Sequence, residues 1–158
     1  MIQNILLDKF QYEVINIDES SDMLTVTVRK QAIVEVIGFL KEELGYLFLT
    51  DLCGIHYPDQ VLALGVVYHL HNFETNQRIR VKTFTAIDDP EIPTMTDLFS
   101  AANWMERETY DFFGIIFTGH PNLIRILNVE YLDYFPLRKE YPLEDQTRTD
   151  KDNRFFGR

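Results

Sequence analysis

Apolar and polar positions along this chain follow two periods, and each change of period marks an element. Residues 2–11 place Ile2, Ile5, Leu6 and Phe10 at helical spacing, which predicts a short helix. In residues 12–30, YEVINIDESSDMLTVTVRK, Leu24, Val26 and Val28 alternate with Thr25 and Thr27. ESSD supplies turn residues, so this stretch predicts a hairpin. AIVEVIGFLKEELG returns to the helical period, with Ile33, Ile37, Leu40 and Leu44 on one stripe and Gly45 placed to end it. LFLTD, VLALGVVYHLH and RIRVKTFTA predict three strands. In the last, Ile79 and Val81 face one way and Arg78, Arg80 and Lys82 form a basic stripe on the other. A second long helix is expected from Thr94 or Thr96, because Thr94 and Asp97 stand at capping-box spacing just after Pro93. It should run to about Phe113, where Gly114 can take the left-handed conformation that ends helices.

Strands in hairpins, punctuated by two or three helices, predict an α+β two-layer fold: a mixed β-sheet with helices packed on one face. Residues 1–134 form the expected body, and residues 135–158 an extended, proline-containing C-terminal arm.

Composition narrows the function. The 158 residues are 46% hydrophobic and 13% aromatic, enough to bury a core, which argues against disorder over most of the length. A net charge of −10 argues against a nucleic-acid binder and against direct docking on anionic lipid. MIQNILLDKF has no basic leader ahead of a long apolar core, so no signal peptide is expected. The longest uncharged apolar run, VLALGVVY, is far short of the roughly 20 residues that span a bilayer. Cys53 is the single cysteine, which excludes an intramolecular disulfide and fits a reducing compartment. One thiolate also falls short of the about four that normally hold an iron–sulfur cluster.

The densest chemistry lies in residues 106–121, ERETYDFFGIIFTGHP. On a helix at about 100° per residue, Leu98, Ala102, Met105, Thr109 and Phe112 form the expected core stripe. Glu106 and Glu108 flank it on opposite sides, which makes a carboxylate dyad improbable. Arg107 and Asp111 share the face opposite the core, where an ordinary surface ion pair is expected. Glu108 and Asp111 are neighbours that repel unless a cation lies between them. An acidic edge awaiting an external arginine or lysine and a merely solvated face fit equally well.

His69 and His71 share a strand face, but the sequence positions no third metal ligand and lacks HEXXH spacing. A free-standing metal-dependent hydrolase using these two and a carboxylate is the competing class of function. His120, in the turn-forming context Thr118-Gly119-His120-Pro121, is suited to fixing a turn by hydrogen bonding. Cys53 reads as a small buried residue at a strand end. No glycine cluster forms a phosphate-cradling loop.

In the arm, Phe135-Pro136-Leu137 and Tyr141-Pro142-Leu143 are two aromatic-Pro-Leu units that cannot easily be a helix or central strand. Beyond Pro136 the charges are six basic and five acidic, so the acidic excess belongs to the body. Such an arm is expected to fold back on the body through about Leu143. One of Arg138 and Lys139 would reach an acid there while the other faces a partner. Phe155 and Phe156 are candidate partner anchors, and Arg148 and Lys151 the expected proteolytic sites.

AANWMERETYDFFGIIFTGHPNLIRIL followed by FPLRKEYPL closely resembles the signature of one subunit of NADH-quinone oxidoreductase, respiratory complex I. It is the subunit lettered C in bacteria, whose eukaryotic counterpart is the iron–sulfur protein 3 subunit. With RIRVKTF and LTDLCGIHYP, the resemblance covers residues 47–143. It implies that Glu106, Arg107, Glu108, Asp111, Gly114, Gly119, His120, Pro121, Arg125, Pro136, Leu137, Arg138 and Lys139 are family motif positions. It also implies a non-catalytic subunit of the hydrophilic arm, peripheral on the cytoplasmic side of the cell membrane. Such a subunit docks chiefly on the quinone-pocket subunit lettered D. The other quinone-pocket subunit, lettered B, and further hydrophilic-arm subunits lie nearby. No metal, cluster, flavin or nicotinamide is expected in this chain; NADH, FMN, iron–sulfur clusters and quinone belong to the assembled complex. Related subunits of membrane-bound hydrogenases and ferredoxin- or plastoquinone-linked complexes are the alternative. Asp145 departs from the glycine common in relatives, and the chain stops sooner than several of them.

Overall fold

A computed structural model describes residues 2–19 and 23–141. The chain opens with α1 (Ile2–Lys9), β1 (Val14–Asp18) and β2 (Leu24–Val28), and a 3-10 turn at Lys30–Ala32 leads into α2 (Ile33–Glu42). β3 (Phe48–His56), β4 (Leu64–Asn72) and β5 (Gln77–Thr85) follow, then β6 (Glu91–Pro93), α3 (Ala102–Phe113) and β7 (Ile116–Thr118).

Five strands form one sheet in the order β1-β2-β5-β4-β3. β2 and β5 run parallel, and the other neighbours antiparallel. The crossover that a parallel pair requires is supplied by α2, β3 and β4. β6 and β7 pair separately, in parallel, and so clamp the chain before α3 to the chain after it. This is the expected α+β fold with a mixed sheet.

Alternation decides which face is covered. Leu64, Val66, Tyr68 and Leu70 of β4 and Ile79 and Val81 of β5 are fully buried, as are Ile33, Val36, Ile37 and Leu40 of α2. They form one apolar cluster with Leu6, Phe10, Met95, Ala102 and Phe117. α3 lies over β3 on the same face, so tightly that a Cβ at Gly54 would stand 2.5 Å from the Phe113 ring. The opposite parity of the sheet, including Cys53, Val67, His69, Arg80 and Lys82, faces away from these helices.

Several boundaries differ from expectation. α2 ends as expected: Gly45 has φ of 73°, and the Tyr46 amide reaches back to the Leu40 carbonyl. β4 starts at Leu64 instead of Val61, whose side chain is exposed in the preceding turn. β3 runs on to His56, which places the half-buried Cys53 within a strand and not at its end. α3 begins at Ala102, several residues later than the Thr94 signal suggests. The Thr94 hydroxyl does accept the Thr96 amide in a local turn, but the acid it meets is Glu106 and not Asp97. β6 and β7 span three residues each, too short to carry a readable period.

After β7 the described chain, 119–141, has no regular element. Phe135, Leu137 and Arg138 lie against the end of α3, and Lys139 reaches the end of β3 at His56. The expectations for Pro142, Leu143, Asp145, Arg148, Lys151, Phe155 and Phe156 fall outside the described residues.

Candidate functional site

α3 has two buried sides. One faces the sheet and holds Ala102, Glu106 and Thr109; the other, facing residues 119–141, holds Asp111. Of the expected core stripe, Ala102 and Thr109 are buried, whereas Leu98, Met105 and Phe112 are half-buried and Leu98 lies before the helix. Glu106 and Glu108 do diverge, but Glu106 is fully buried in the stripe and Glu108 is exposed.

The surface pair expected of Arg107 and Asp111 is replaced by two separate arrangements. Arg107 donates to the carbonyls of Ile124 and Arg125, at 3.2 and 3.3 Å, with its guanidinium over the Trp104 ring. Asp111 is fully buried, and its cation comes from within the chain: Arg125 Nη1 stands 2.7 Å from Oδ1. Asp111 Oδ2 accepts the amides of Ile126, Leu127 and Asn128 at 3.1, 2.8 and 2.9 Å. The Asn128 side chain adds a bond to Oδ1 at 3.1 Å. Burial pushes this carboxyl up, but the Asn128 and Leu127 amides, the Arg125 guanidinium and the Ile126 amide outweigh it. The net effect holds Asp111 well below the usual carboxylate range. One ionised acid thereby fixes four consecutive residues of an irregular segment.

The same assembly finishes the helix. The last four carbonyls of an α-helix have no partner within it. Here Gly114, with φ of 74°, returns its amide to Tyr110. Arg125 Nη1 donates to the Asp111 carbonyl at 2.9 Å, the Leu137 amide to Phe112 at 3.2 Å, and Arg138 Nε to Phe113 at 2.7 Å. All four carbonyls are satisfied, three of them by residues far along the chain. The Phe135 ring lies across Gly114 with the Arg125 and Arg138 guanidinia 5.2 and 4.7 Å from its centroid. Arg138 therefore reaches backbone on the body, not the acid expected there. The side chain of Lys139 is exposed, and its amide donates to Nδ1 of the buried His56 at 3.0 Å.

Glu106 belongs to different surroundings. Its carboxylate accepts the Thr94 hydroxyl at 2.5 Å and the Met95 amide at 2.6 Å, joining α3 to the segment leaving β6. Burial raises its pKa to about 7, although both hydrogen bonds oppose the shift. Nearby, the fully buried Tyr68 hydroxyl has its pKa raised by burial and by the charge of Glu106. His120 fixes a turn, as its context suggests. Nε2 lies 3.1 Å from the Asn103 carbonyl while Nδ1 accepts the Asn122 amide at 3.0 Å, which selects the Nε2–H tautomer. Gly119 precedes it at φ of 86°, and Pro121 is exposed beyond it.

The motif positions thus divide. Arg107, Asp111, Gly114, Arg125, Leu137 and Arg138 meet at the C-terminal part of α3; Glu106, Glu108, Gly119, His120, Pro121 and Lys139 do not, and Pro136 is half-buried between them along the arm. Asn128 and His56 are partners that sequence reasoning did not single out, and Thr94 was marked only as a helix start. Asn128 and His56 carry no local signal, whereas Phe135 was marked by its aromatic-Pro-Leu context.

His69 and His71 do not converge. His69 Nε2 accepts Arg80 Nε at 2.9 Å, and His71 Nε2 lies 3.2 Å from the Asn76 side chain. Among the described residues no group of three or more His, Cys, Asp and Glu side chains is arranged to hold a metal ion. Burial, followed by the neighbouring Asp51, pushes the Cys53 thiol up.

Residues 26–147 match the family described as respiratory-chain NADH dehydrogenase, 30 Kd subunit. The C-lettered NADH-quinone oxidoreductase subunit, first copy, of Rhizobium meliloti (strain 1021) is 42% identical over 132 residues, which is 82% of this chain and 65% of that protein. The chain thus spans somewhat less than two thirds of that relative. The corresponding subunit from Citrifermentans bemidjiense is 42% identical over 90% of this chain and 89% of its own length. Among solved structures, the trypsin-resistant fragment of Nqo5 superposes with a TM-score of 0.68 at 32% identity, covering 77% of this chain and 98% of the fragment. A chain of the membrane-bound sulfane sulfur reductase, an archaeal respiratory membrane complex, superposes with a TM-score of 0.76 at 25% identity, covering 96% and 94%.

Proposed function

The chain belongs to the respiratory-chain NADH dehydrogenase 30 Kd subunit family, and from this premise we propose that it is a non-catalytic, cluster-free structural subunit of NADH:quinone oxidoreductase. In this reading it sits in the hydrophilic arm, peripheral on the cytoplasmic side of the cell membrane. It docks chiefly on the quinone-pocket subunit lettered D, next to the one lettered B. NADH, FMN, iron–sulfur clusters and quinone are handled by the other subunits.

The observation that carries the reading is how the motif spends its polar groups. Asp111, Arg125, Arg107 and Arg138 are committed to internal bonds that shape residues 119–141. The same segment turns large apolar side chains outward: Leu127 is 66% exposed, Val129 49% and Tyr131 87%. A rigid segment that displays apolar groups is suited to meeting another protein surface. Among the described residues no helix is long and apolar enough to cross a membrane, so membrane attachment is assigned to the partners.

Affinity purification of the tagged chain from native membranes, with the co-purifying chains identified by mass spectrometry, tests this. Both quinone-pocket subunits are expected. Leu127→Glu combined with Tyr131→Glu should lose them while the isolated chain keeps its circular dichroism. Recovery of the chain alone, or an equivalent of bound metal or flavin in the isolated chain, would refute the reading. The likeness to the sulfane sulfur reductase chain supports a second reading, an equivalent subunit of a related membrane-bound hydrogenase or ferredoxin- or plastoquinone-linked complex. The electron-input subunits recovered in the same purification separate the two.

A further inference from the structure

We propose that the helix-free face of the five-stranded sheet seats an acidic segment of a partner subunit in extended conformation, with its carboxylates against Arg78, Arg80 and Lys82. The surface is separate from the apolar segment 119–141, and the inference rests on the chain having partner subunits.

The three cations stand on one side of β5, alternating with the buried Ile79, Val81 and Thr83. At strand geometry they are spaced about 7 Å apart. A polypeptide in extended conformation repeats its own side chains at the same interval, so alternate acids on it would meet all three. β5 is an inner strand, flanked by β2 and β4. The segment would therefore lie across the face through its side chains, since no strand edge is open to it there.

Charge identifies the occupant. The protein carries a net charge of −10, yet the ion pairs Lys30–Asp89, His56–Glu140, His69–Asp51, Arg125–Asp111 and Arg138–Glu140 leave out all three of these cations. The register places two acids on this face, Asp18 beside Thr25 at one edge and, at the other, Asp51, which stands 3.5 Å from His69. Arg80 spends its guanidinium on neutral acceptors, the His69 ring at 2.9 Å and the Thr25 hydroxyl at 3.4 Å. Burial comes first in lowering the His69 pKa, followed by the charge of Arg80; Asp51 opposes the shift and Lys82 adds to it. At one end of the face, exposed Phe48 and Phe73 rings pack 5.3 Å apart; at the other, Phe84 lies 6.0 Å from Tyr57. An acidic segment with apolar residues at its ends fits this distribution. A long polyanion does not, because nucleic acid or an anionic membrane meets the negative charge of the whole molecule as well as the stripe.

The test uses the complex purified from native membranes, with the photoreactive residue benzoylphenylalanine in place of Thr27. That position lies on this face, paired with Lys82. Irradiation should yield a cross-linked peptide from another subunit bearing at least two acids at alternate positions. Arg78→Glu with Lys82→Glu should lower the yield at least tenfold, and reversing those acids to lysine should restore it. Lys82→Gln, a milder change, should lower it about threefold. The native Cys53, two strands away in the same row, should be alkylated at least tenfold more slowly in the complex than in the free chain. An adduct with lipid, nucleic acid, residues 142–158 of this chain or a neutral or basic peptide overturns the inference. So does an intact complex with no adduct, or with Cys53 alkylated at the free rate. Failure to co-purify any partner refutes the docking reading instead.

Discussion

The sheet and residues 119–141 lie on either side of α3 and are held by different physics. In the sheet, alternating apolar residues bury one face against helices, and many weak contacts share the task. In the irregular segment, amides and a guanidinium converge on the carboxylate of Asp111, and helix carbonyls take the remaining donors. Lack of regular structure therefore does not mean lack of order. A buried charge with its donors satisfied can fix a shape that no periodic pattern encodes.

Asp111→Ala should have the largest effect, because it leaves three amides without an acceptor and the Arg125 guanidinium without its counter-ion beside a helix end. We expect a loss of about 3–5 kcal/mol in urea unfolding. Amide exchange should accelerate across residues 124–138 while the amides of Ile79 and Val81 stay protected. Ile79→Ala removes a fully buried side chain of the sheet and should cost about 2–5 kcal/mol, with exchange rising first in the sheet. Identical exchange patterns in the two variants would erase the distinction between the regions.

The two buried acids of α3 sharpen it through pH. Glu106, raised by burial to about 7, contributes stability that is full below its unfolded pKa near 4.5. That contribution is lost as pH rises through 7, by roughly 3 kcal/mol. Asp111 is depressed, so its contribution is present at neutral pH and is lost as pH falls into the acid range. Glu106→Gln should remove most of the decline between pH 5 and 8 and leave the acid limb intact. A variant that still weakens by the full amount over that range would assign the slope to another group.

The smallest effect is expected at the junction. Gly114→Ala places a methyl group 2.5 Å from the Phe135 ring and 2.7 Å from Arg138 Nη2, at a φ of 74°. A cost of about 2 kcal/mol is expected from the left-handed backbone and the displaced ring. It should be accompanied by faster exchange at the Leu137 amide than at sheet amides.

What the sequence by itself determined is whatever repeats within a few residues. The strands of the sheet and α2 announce themselves because side-chain direction recurs every two residues or every 3.6. The end of α3 at Gly114 was legible for a similar reason, since one residue type answers one backbone requirement. The motif that marks the family is legible too, but not what its residues do. Asp111 looked like half of a surface pair because Arg107 stands four positions away. Its actual partners, Arg125 to Asn128, lie 14 to 17 positions on, in a stretch without periodicity. Glu106 looked like a flanking charge, yet burial and the Thr94–Met95 segment drew it into the core. Tertiary structure decided both fates, because a charge acquires its meaning from the donors and the dielectric around it. Those are set by whichever distant segment packs there, a relation that local spacing does not encode.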